Sequence, residues 1–576
     1  MTIADPGRVS APRRWLTVGL ETLTRPIRWC WRVRHDRMAP IALGLLILAW
    51  VVALSSRSGY GSADVRFEHN ANPGRWFSRM ASIWDSSRGF GTFRNELWPA
   101  PTAFFGLLRV LGASIDLAQR LFHATLIAAV GTGVVALLRE WERRIGWMHL
   151  LAALYAMFAP FSIAFLLPSG LYVGYAILPW ILTFSIRGMR TEQPWRWAAA
   201  VVVVIAAVGT VDRAGLAFSM VGVGLVALYL VAVERTASLR SLWALSWRTA
   251  VLGLPALAGS LIGLVASAEV AAQDLRESEL ASVVNVASSW PESWRGMGYW
   301  LLYVRDTSGW NRPATLEYFG DRLVYVASFL VPLAAVAALA LLRRRERLLF
   351  GSFLFVGLLL MVGTYPIDDP SPWGRALDWL YDVVPASQVL RNGYKAGGLA
   401  TIGSALLFGV GSVEASRWLR RRWTTARRRR WASPAAALGL LALVTVPVWT
   451  EGLYGDSAGF DEIPEYVEES MSWLDAQPGS ARAWFAPGAF RNGFRWGSVN
   501  DDVIDALLAR PHLIDVATHN SRPLSADLIS ALDRSLDDRT YTPGLATLYG
   551  ERYGIEYLVL RNDLDWQTWG QSRPAA

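Results

Sequence analysis

The sequence predicts a polytopic α-helical membrane protein with a small α/β segment near its C-terminal end. Of the 576 residues, 53% are hydrophobic and 29 are tryptophan, and apolar runs of membrane-spanning length recur along most of the chain. Basic residues cluster in the short connections between alternate runs, as the positive-inside rule requires. This clustering explains the formal net charge of +9, so no nucleic-acid partner is expected.

The apolar runs predict about eleven transmembrane helices. They cover roughly 39–55, 117–138, 146–166, 170–187, 196–211, 215–233, 249–268, 323–342, 347–364, 397–413 and 433–450. Arginine-rich connections follow every second run and are predicted to be cytoplasmic, where the densest one, 417–430, contacts anionic membrane lipid. Adding or removing one crossing would place that segment outside. The count is therefore consistent with a multi-pass protein of the plasma (inner) membrane.

This topology divides the chain into three parts. Residues 1–38 are arginine-rich and predicted to be a cytoplasmic N-terminal segment. Residues 452–576 show a helix pattern at 526–536 and a strand pattern at 556–560, and are predicted to form an extracytoplasmic α/β domain. Between them lies the membrane domain, 39–451, whose long extracytoplasmic loops are 56–116, 269–322 and 365–396.

The first outside loop has concentrated polarity close to a membrane crossing. Its candidate functional residues are Asp64, Glu68, Asp85, Arg94 and Asn95. Carboxylates at the mouth of a membrane bundle are costly to desolvate, which makes them functional candidates. A solvated loop with an interfacial amphipathic helix explains the same pattern about equally well.

The second outside loop combines charged residues with aromatic rings. The residues that suit an acceptor sugar are Trp290, Glu292, Arg295 and Tyr299. Aromatic faces beside charged groups fit a sugar ring, and they fit the aromatic belt of a membrane interface equally well. The sequence leaves both interpretations open.

The third outside loop contains Lys395, the only lysine of the chain. A compact ammonium at an outside membrane mouth suits a phosphate, and Arg391, one helical turn earlier, is a forked partner for it. Asn392 and Tyr394 lie between the two cations. Snorkelling toward lipid headgroups is the alternative for a basic side chain near the end of a crossing.

Taken together, the loops predict a lipid-linked phosphate ligand on the outer side. ATP and nucleotide sugars are not available there, so an activated sugar donor has to be held in the bilayer. A polyprenyl-phosphate sugar meets this requirement. An acceptor hydroxyl then needs a carboxylate as general base, and Asp64, just after the first crossing, is the best-placed one.

The sequence lacks the motifs of several classes of soluble enzyme. The sequence has no P-loop, no G-x-G-x-x-G after a strand and no H-E-x-x-H. The six histidines are scattered, and a single cysteine permits neither an internal disulfide nor a cysteine-based metal site. No cofactor is assigned with certainty. Asp64, Glu68 and Asp85 are compatible with a divalent cation, although their spacing does not demand one.

Motifs in all three loops and in the C-terminal segment resemble one known family. The motifs are Asp64-x-Arg66-x-Glu68, Asn72-Pro73-x-Arg75-Trp76-x-x-Arg79, Trp84-Asp85, Phe90-Gly91, Arg94-Asn95, Ser289-Trp290-x-Glu292, Leu390-Arg391-Asn392-x-Tyr394-Lys395 and Arg561-Asn562-Asp563-Leu564-Asp565. In this order they resemble the actinobacterial α-(1→3)-arabinofuranosyltransferases, membrane enzymes of the GT-C fold. The resemblance extends over nearly the whole chain.

The resemblance implies a GT-C-like fold and transfer of arabinofuranose from decaprenylphospho-arabinofuranose to a cell-wall arabinan or arabinomannan acceptor. Asp64 matches the expected general base and Glu68 a second acidic position, while Arg391 and Lys395 match positions expected to hold the donor phosphate. An inverting displacement of this kind needs no covalent enzyme intermediate. Family members are longer and have extra sugar-binding modules after the region of Asp565, so the sequence is expected to be a short or truncated member.

Two other functions are compatible with the same residues. The first is transfer of another sugar, such as mannose, from a donor of the same lipid-linked class. The second is a non-catalytic scaffold or a transporter of lipid-linked glycans. A transporter would need a polar path through the membrane, and the third to tenth crossings contain few polar residues.

Overall fold

The computed structural model describes most of the membrane bundle and of the C-terminal region. The described residues are 38–56, 58–61, 67–80, 82, 84–93, 98–166, 169–191, 193–209, 212–255, 285–303, 305–306, 309–310, 313–422, 432–453, 459–489, 492–499, 503–516, 523–538 and 540–565. The predicted N-terminal segment before Met38, the end of the seventh crossing, and the site residues Asp64, Arg94 and Asn95 lie outside them.

Helices form most of the described chain. In order they are α1 (Met38–Ser55), α2 (Phe67–Ala71), α3 (Pro73–Arg79), α4 (Pro99–Val110), α5 (Ile115–Leu138), α6 (Trp147–Phe158), α7 (Pro160–Phe165), α8 (Ser169–Met189), α9 (Pro194–Val208), α10 (Arg213–Leu228), α11 (Trp290–Trp294), α12 (Pro313–Gly320), α13 (Arg322–Leu341), α14 (Glu346–Val362), α15 (Pro372–Val383), α16 (Gly397–Arg422), α17 (Ala432–Thr450), α18 (Glu465–Ala476), α19 (Ile504–Leu507), α20 (Pro523–Asp537) and α21 (Pro543–Tyr553).

The strands are short, apart from three in the C-terminal region. They are β1 (Tyr60–Gly61), β2 (Trp84–Asp85), β3 (Thr92–Phe93), β4 (Arg305–Asp306), β5 (Gly309–Trp310), β6 (Gly459–Phe460), β7 (Arg482–Ala489), β8 (Asn492–Phe494), β9 (Gly497–Val499), β10 (His512–Val516) and β11 (Ile555–Leu560).

Seven helical stretches of the described chain are long and apolar enough to cross a membrane. They are Met38–Ser55, Ile115–Leu138, Trp147–Phe165, Arg213–Glu234, Arg322–Leu341, Gly393–Leu419 and Ser433–Thr450. Each coincides with a crossing predicted from the sequence. The other four predicted crossings fall on α8, α9, α14 and the helical residues 239–255. The multi-pass helical architecture is confirmed, and the number eleven stays a prediction.

The helix α16 is the centre of the bundle and packs against α6, α13 and α14. Glycines on it permit a very close approach. A Cβ atom on Gly403 would overlap the backbone of Leu354 in α14, and one on Gly409 would overlap the backbone of Met148 in α6. Small residues are the usual solution where membrane helices pack backbone to backbone. The central helix is therefore held by direct van der Waals contact with its neighbours.

Charged residues from several helix ends meet at one end of the bundle. The Nε atom of Arg187 lies 2.7 Å from an oxygen of Glu140. Arg344 lies 3.6 Å from Glu142 and 3.5 Å from Glu414. All five residues belong to helix ends or connections that the sequence predicts to be cytoplasmic. The alternation of the crossings thus agrees with this clustering, while the orientation of the bundle in the membrane stays a prediction.

The C-terminal region contains a three-stranded parallel sheet in the order β10-β7-β11. Successive residues of the central strand point to opposite faces. Phe485 packs with Met471 of α18 on one face, whereas Trp484 packs with Ile529 of α20 on the other. The helix and strand patterns noted in the sequence fall on α20 and β11. This sheet is therefore covered by helices on both sides.

Backbone pairing joins the C-terminal region to the first outside loop. The strand β1 pairs with β6 in antiparallel orientation, with Tyr60 opposite Phe460. Further along the loop, the amide of His512 donates to the carbonyl of Ser87 at 2.9 Å, and the amide of Gly89 donates to the carbonyl of His512 at 2.8 Å. The loop therefore lies against the edge of the sheet beside β10.

Candidate active site

The carboxylate of Glu68, in α2, is completely buried and surrounded by arginines. The Nη1 atom of Arg79 donates to Oε1 at 2.8 Å, and Nη2 of Arg88 donates to Oε2 at 2.7 Å. The Nε atom of Arg75 lies 3.8 Å from Oε1. Burial, together with the charge of Arg79, lowers the pKa of Arg75. Because guanidinium groups occupy both oxygens, the geometry favours a positioning role for Glu68 over proton abstraction.

The same arginines extend the network to Asp85 and to the C-terminal region. Arg79 lies 3.7 Å from the buried carboxylate of Asp85. The Nε atom of Arg88 lies 2.8 Å from Oδ1 of Asp505, and that oxygen is also 2.9 Å from Nε2 of His512. Asp85, predicted as an acceptor-binding residue, is thus placed in the contact between the loop and the sheet.

Asp64 lies outside the described residues, between β1 and α2. The residues at both ends of this segment are packed. The ring centroids of Tyr60 and Phe67 lie 5.3 and 5.6 Å from that of Phe460. The segment that contains Asp64 therefore lies between two packed residues, beyond the end of α1 that is predicted to be extracytoplasmic.

Lys395 lies in a 3₁₀ turn that leads into α16. Its Nζ atom donates to Oδ1 of Asp212 at 2.6 Å, and the two side chains are only 7% and 1% exposed. The same oxygen accepts the amide hydrogen bond of Gly215 at 2.9 Å, so Asp212 also caps the N-terminus of α10. The sequence analysis missed Asp212. The available signal was a lone acidic residue in a short outside connection between two crossings.

The Lys395–Asp212 pair is enclosed by small and aromatic residues. A Cβ atom on Gly174 of α8 would lie 2.5 Å from Oδ2 of Asp212. The cavity beside the pair, lined in part by Tyr175 and Phe218, has a volume of only about 10 Å³. This space is at the lower limit for one water molecule. The pair is therefore tightly packed at the ends of α8, α10 and α16 that are predicted to be extracytoplasmic.

Two tyrosines from different outside loops contact each other beside this turn. The ring centroids of Tyr394 and Tyr299 are 4.7 Å apart, and both rings lie within 5.7 Å of Phe165. Both tyrosines are buried. Arg391 and Asn392, which precede the turn, are half-buried. The structure thus brings a residue of the second loop together with the loop predicted to bind the donor phosphate.

The other predicted residues of the second loop are engaged in internal contacts, apart from Trp290. Arg295 lies 2.8 Å from Oε2 of Glu292, and its guanidinium lies 4.6 Å from the ring centroid of Tyr325. The hydroxyl of Tyr303 donates to the same Glu292 oxygen at 2.7 Å. Partial burial and the charge of Glu292 raise the pKa of Tyr303 well above its ordinary value. Trp290 is 49% exposed and remains accessible to a ligand.

Comparison with known proteins identifies the family. The model of the alpha-(1->3)-arabinofuranosyltransferase N-terminal GT-C domain (GT-C_AftD) matches residues 48–576. The chain belongs to this GT-C_AftD family. The polytopic GT-C fold predicted from the sequence is thereby confirmed.

Two curated relatives have the same family name. The chain is 26% identical over 571 residues to the alpha-(1->3)-arabinofuranosyltransferase of Mycobacterium tuberculosis (strain ATCC 25618 / H37Rv), with 93% of this chain and 39% of the relative covered. It is 26% identical over 548 residues to that of Mycolicibacterium smegmatis (strain ATCC 700084 / mc(2)155), with 91% and 37% covered. The chain thus spans less than two fifths of the length of these relatives.

A solved structure shows the same GT-C_AftD architecture. The cryo-EM structure of arabinofuranosyltransferase AftD from Mycobacteria superimposes with a TM-score of 0.64 at 23% sequence identity. The match covers 93% of this chain and 36% of that chain. At this identity the likeness establishes the fold, and the site has to be argued from this chain's own residues.

Metal ligation was left open by the sequence. Within the described ranges, no group of three or more His, Cys, Asp or Glu residues is arranged to hold a metal ion. Glu68 and Asp85 are both in contact with Arg79 instead. Asp64 lies outside those ranges, so its part in a divalent cation site stays untested.

Proposed function

We propose that this chain transfers arabinofuranose from decaprenylphospho-arabinofuranose to a cell-wall arabinan or arabinomannan acceptor on the extracytoplasmic side of the membrane. Membership of the GT-C_AftD family supports this proposal, because two curated relatives are named alpha-(1->3)-arabinofuranosyltransferases. In the reaction, the acceptor hydroxyl loses its proton and its oxygen attacks the anomeric carbon. The bond to the donor phosphate breaks, and decaprenyl phosphate leaves.

The observation that supports the donor site most directly is the burial of the only lysine at the predicted outer end of the bundle. An ammonium group has three N–H donors. Among the described residues, Asp212 accounts for one of them. We assign Asp212 the task of orienting the ammonium of Lys395. In this proposal, the ammonium stabilises the negative charge that develops on the leaving phosphate from its enclosed position, without direct contact.

Arg391 is the first contact of the donor phosphate in this proposal. Its side chain is half-buried, whereas Lys395 is almost enclosed. A guanidinium binds phosphate oxygens in a forked geometry, so Arg391 can bind the lipid-linked phosphate at the bilayer surface. Asn392 and Tyr394 then frame the turn between the two cations. Trp290 is exposed and belongs to the same loop as Tyr299. It is the proposed stacking surface for the acceptor sugar.

Asp64 is the proposed general base. The arginine network of Glu68 fixes α2 directly after Asp64, and the pairing of β1 with β6 fixes the chain directly before it. A base held between two fixed points can be oriented toward the acceptor hydroxyl without a large entropic cost. Arg94 and Asn95 follow in the same loop and are proposed to contact the acceptor.

Asp64→Asn tests this assignment in proteoliposomes supplied with radiolabelled decaprenylphospho-arabinofuranose and an arabinan acceptor. Loss of the general base should lower transfer by about 10²- to 10⁴-fold. The matched control is Asp527→Asn, an exposed position on α20 that should transfer at the wild-type rate. Transfer by Asp64→Asn at the wild-type rate would exclude Asp64 as the base.

A panel of donors separates the proposed sugar from its alternative. The arabinofuranosyl donor should be used at least about ten times faster than decaprenylphospho-mannose, and parallel reactions with EDTA measure any dependence on a divalent cation. Preferential use of the mannosyl donor would keep the glycosyltransferase but overturn arabinofuranose as its substrate. Absence of transfer from both donors would favour a scaffold or transporter.

A further inference from the structure

A cleft in the C-terminal region shares no lining residue with the small cavity beside Lys395. It is bordered by α18, by the β8–β9 hairpin and by the residues that follow β11. Its volume is about 510 Å³. Pockets that bind small ligands in proteins span roughly 300–1,000 Å³. The cleft is therefore large enough for a ligand of a few linked rings at most.

Aromatic rings form one wall of this cleft and part of its rim. Phe494 and Trp496 are stacked, with ring centroids 4.4 Å apart and an interplanar angle of 16°. Phe460 supports this pair from the side, with its ring centroid 5.3 Å from that of Trp496. At the rim, Tyr466 on α18 is 50% exposed. An aromatic wall with an accessible rim ring suits the apolar C–H face of a sugar.

Charged and amide groups lie between the aromatic residues. The Oδ2 atom of Asp563 accepts hydrogen bonds from Nε1 of Trp496 at 3.2 Å and from the hydroxyl of Tyr466 at 3.1 Å. Arg561 is only 5% exposed, and its guanidinium lies 5.1 Å from the ring centroid of Phe494. Asn562 lies between these two charged residues along the chain and also lines the cleft.

The wall of the cleft is continuous with the first outside loop. Phe494 belongs to the same apolar cluster as Tyr60, Phe67 and Phe460. Phe67 follows the proposed base, Asp64, by three positions. A chain-like ligand seated in the cleft thus lies against the structure that fixes the segment containing Asp64.

We infer that this cleft binds a saccharide and acts as a remote subsite for the acceptor glycan. Sugar rings place their C–H faces on Trp496, which is backed by Phe494, and on Tyr466, while their hydroxyls hydrogen-bond to the charged and amide groups of 561–563. That the ligand is a saccharide is inferred from the residues of the cleft alone. The identification of this saccharide as the acceptor rests on the proposed transferase function.

Isothermal titration calorimetry of the full chain in lipid nanodiscs tests this site with an arabinofuranosyl hexasaccharide as the probe. Wild-type protein should show saturable binding, and Trp496→Ala and Tyr466→Ala should each weaken it about ten-fold or more, as loss of a central aromatic contact does. Tyr466 is half-exposed, so its replacement keeps the fold. The matched control is Trp473→Ala, which removes an exposed tryptophan of α18 outside the cleft and should bind normally.

Equal affinity in wild-type, Trp496→Ala and Tyr466→Ala protein, or absence of saturable binding by the wild type, would overturn the saccharide site. Equal binding of maltohexaose would overturn its assignment to the acceptor. The readout is independent of transfer, and Asp64→Asn should bind the hexasaccharide like the wild type. Cleft-dependent binding without any transfer would therefore remove the proposed function and leave the saccharide site standing.

Discussion

Removal of one member of the Lys395–Asp212 pair should destabilise the protein far more than removal of both. The two charged atoms are 2.6 Å apart and almost fully buried. At an effective dielectric constant of about 20, their attraction is about 6 kcal/mol. Desolvation of the two charges offsets much of this attraction. Replacing both members by uncharged residues should therefore change the stability little, whereas leaving one buried charge unpaired costs about 3–5 kcal/mol.

The variants that separate these cases are Lys395→Met, Asp212→Asn and the double variant. Asparagine retains the cap of α10 and methionine retains the bulk of the lysine. Thermal unfolding, followed by the intrinsic fluorescence of the 29 tryptophans, should place the double variant near the wild type and both single variants well below it. Transfer should not return in the double variant, because the ammonium proposed to serve the donor phosphate is absent.

Two results would refute this reasoning. If Lys395→Met unfolds at the wild-type temperature, the pair is not a buried structural contact. If the double variant regains both stability and transfer, Lys395 has only a structural role and its assignment to the donor phosphate fails. Arg391→Gln is the matched comparison, because its half-buried side chain should alter donor use with little effect on the unfolding temperature.

Glu68→Gln should loosen the first outside loop, since three partly buried arginines lose the carboxylate that compensates their charge; limited proteolysis should cut this loop faster than in the exposed control Glu465→Gln. Gly403→Ala should overpack the contact between α14 and α16, lower the stability by about 1–3 kcal/mol and reduce the yield of monodisperse protein. Gly439 has open space around it, so Gly439→Ala should have neither effect. Asp378→Asn should raise the unfolding temperature at pH 7, because burial and a neighbouring carboxylate raise the pKa of Asp378 and disfavour its charged form in the folded state. This gain should vanish below about pH 4, where the aspartate is protonated in both states.

Each of these three predictions would be contradicted by a specific result. Equal proteolysis of the two glutamate variants would mean that the arginine network does not hold the loop. Equal yields of the two glycine variants would mean that the helices are not in backbone contact. A gain from the aspartate variant that persists at low pH would mean that its charge is not the cause.

The membrane crossings could be predicted from the sequence because hydropathy alone decides which segments enter a bilayer. Each of the seven apolar helices coincides with a predicted run. Which helix lies at the centre could not be predicted in this way. The central position of α16 depends on Gly403 and Gly409 meeting particular backbone atoms of other helices, and hydropathy contains no information on such pairs.

The candidate site was only partly predictable for the same reason. Lys395 could be singled out because it is the only lysine, but its partner Asp212 precedes it by 183 positions and is found only once α10 and α16 are packed. Glu68 and Asp64 satisfied the same sequence criterion. The structure distinguishes Glu68, because Arg75 and Arg79, spaced by one helical turn, both face it.

The pairing of β1 with β6 also sets the point during synthesis at which the first outside loop can complete its contacts. Tyr60 emerges early from the ribosome, whereas its partner Phe460 is made only after the last predicted crossing has been inserted. A nascent chain that stops before β6 can enter the membrane, but the loop that holds the proposed base then has no strand to pair with. Synthesis of β6 is therefore the event that completes the pairing of the loop proposed to contain the base, and shorter products lack this pairing.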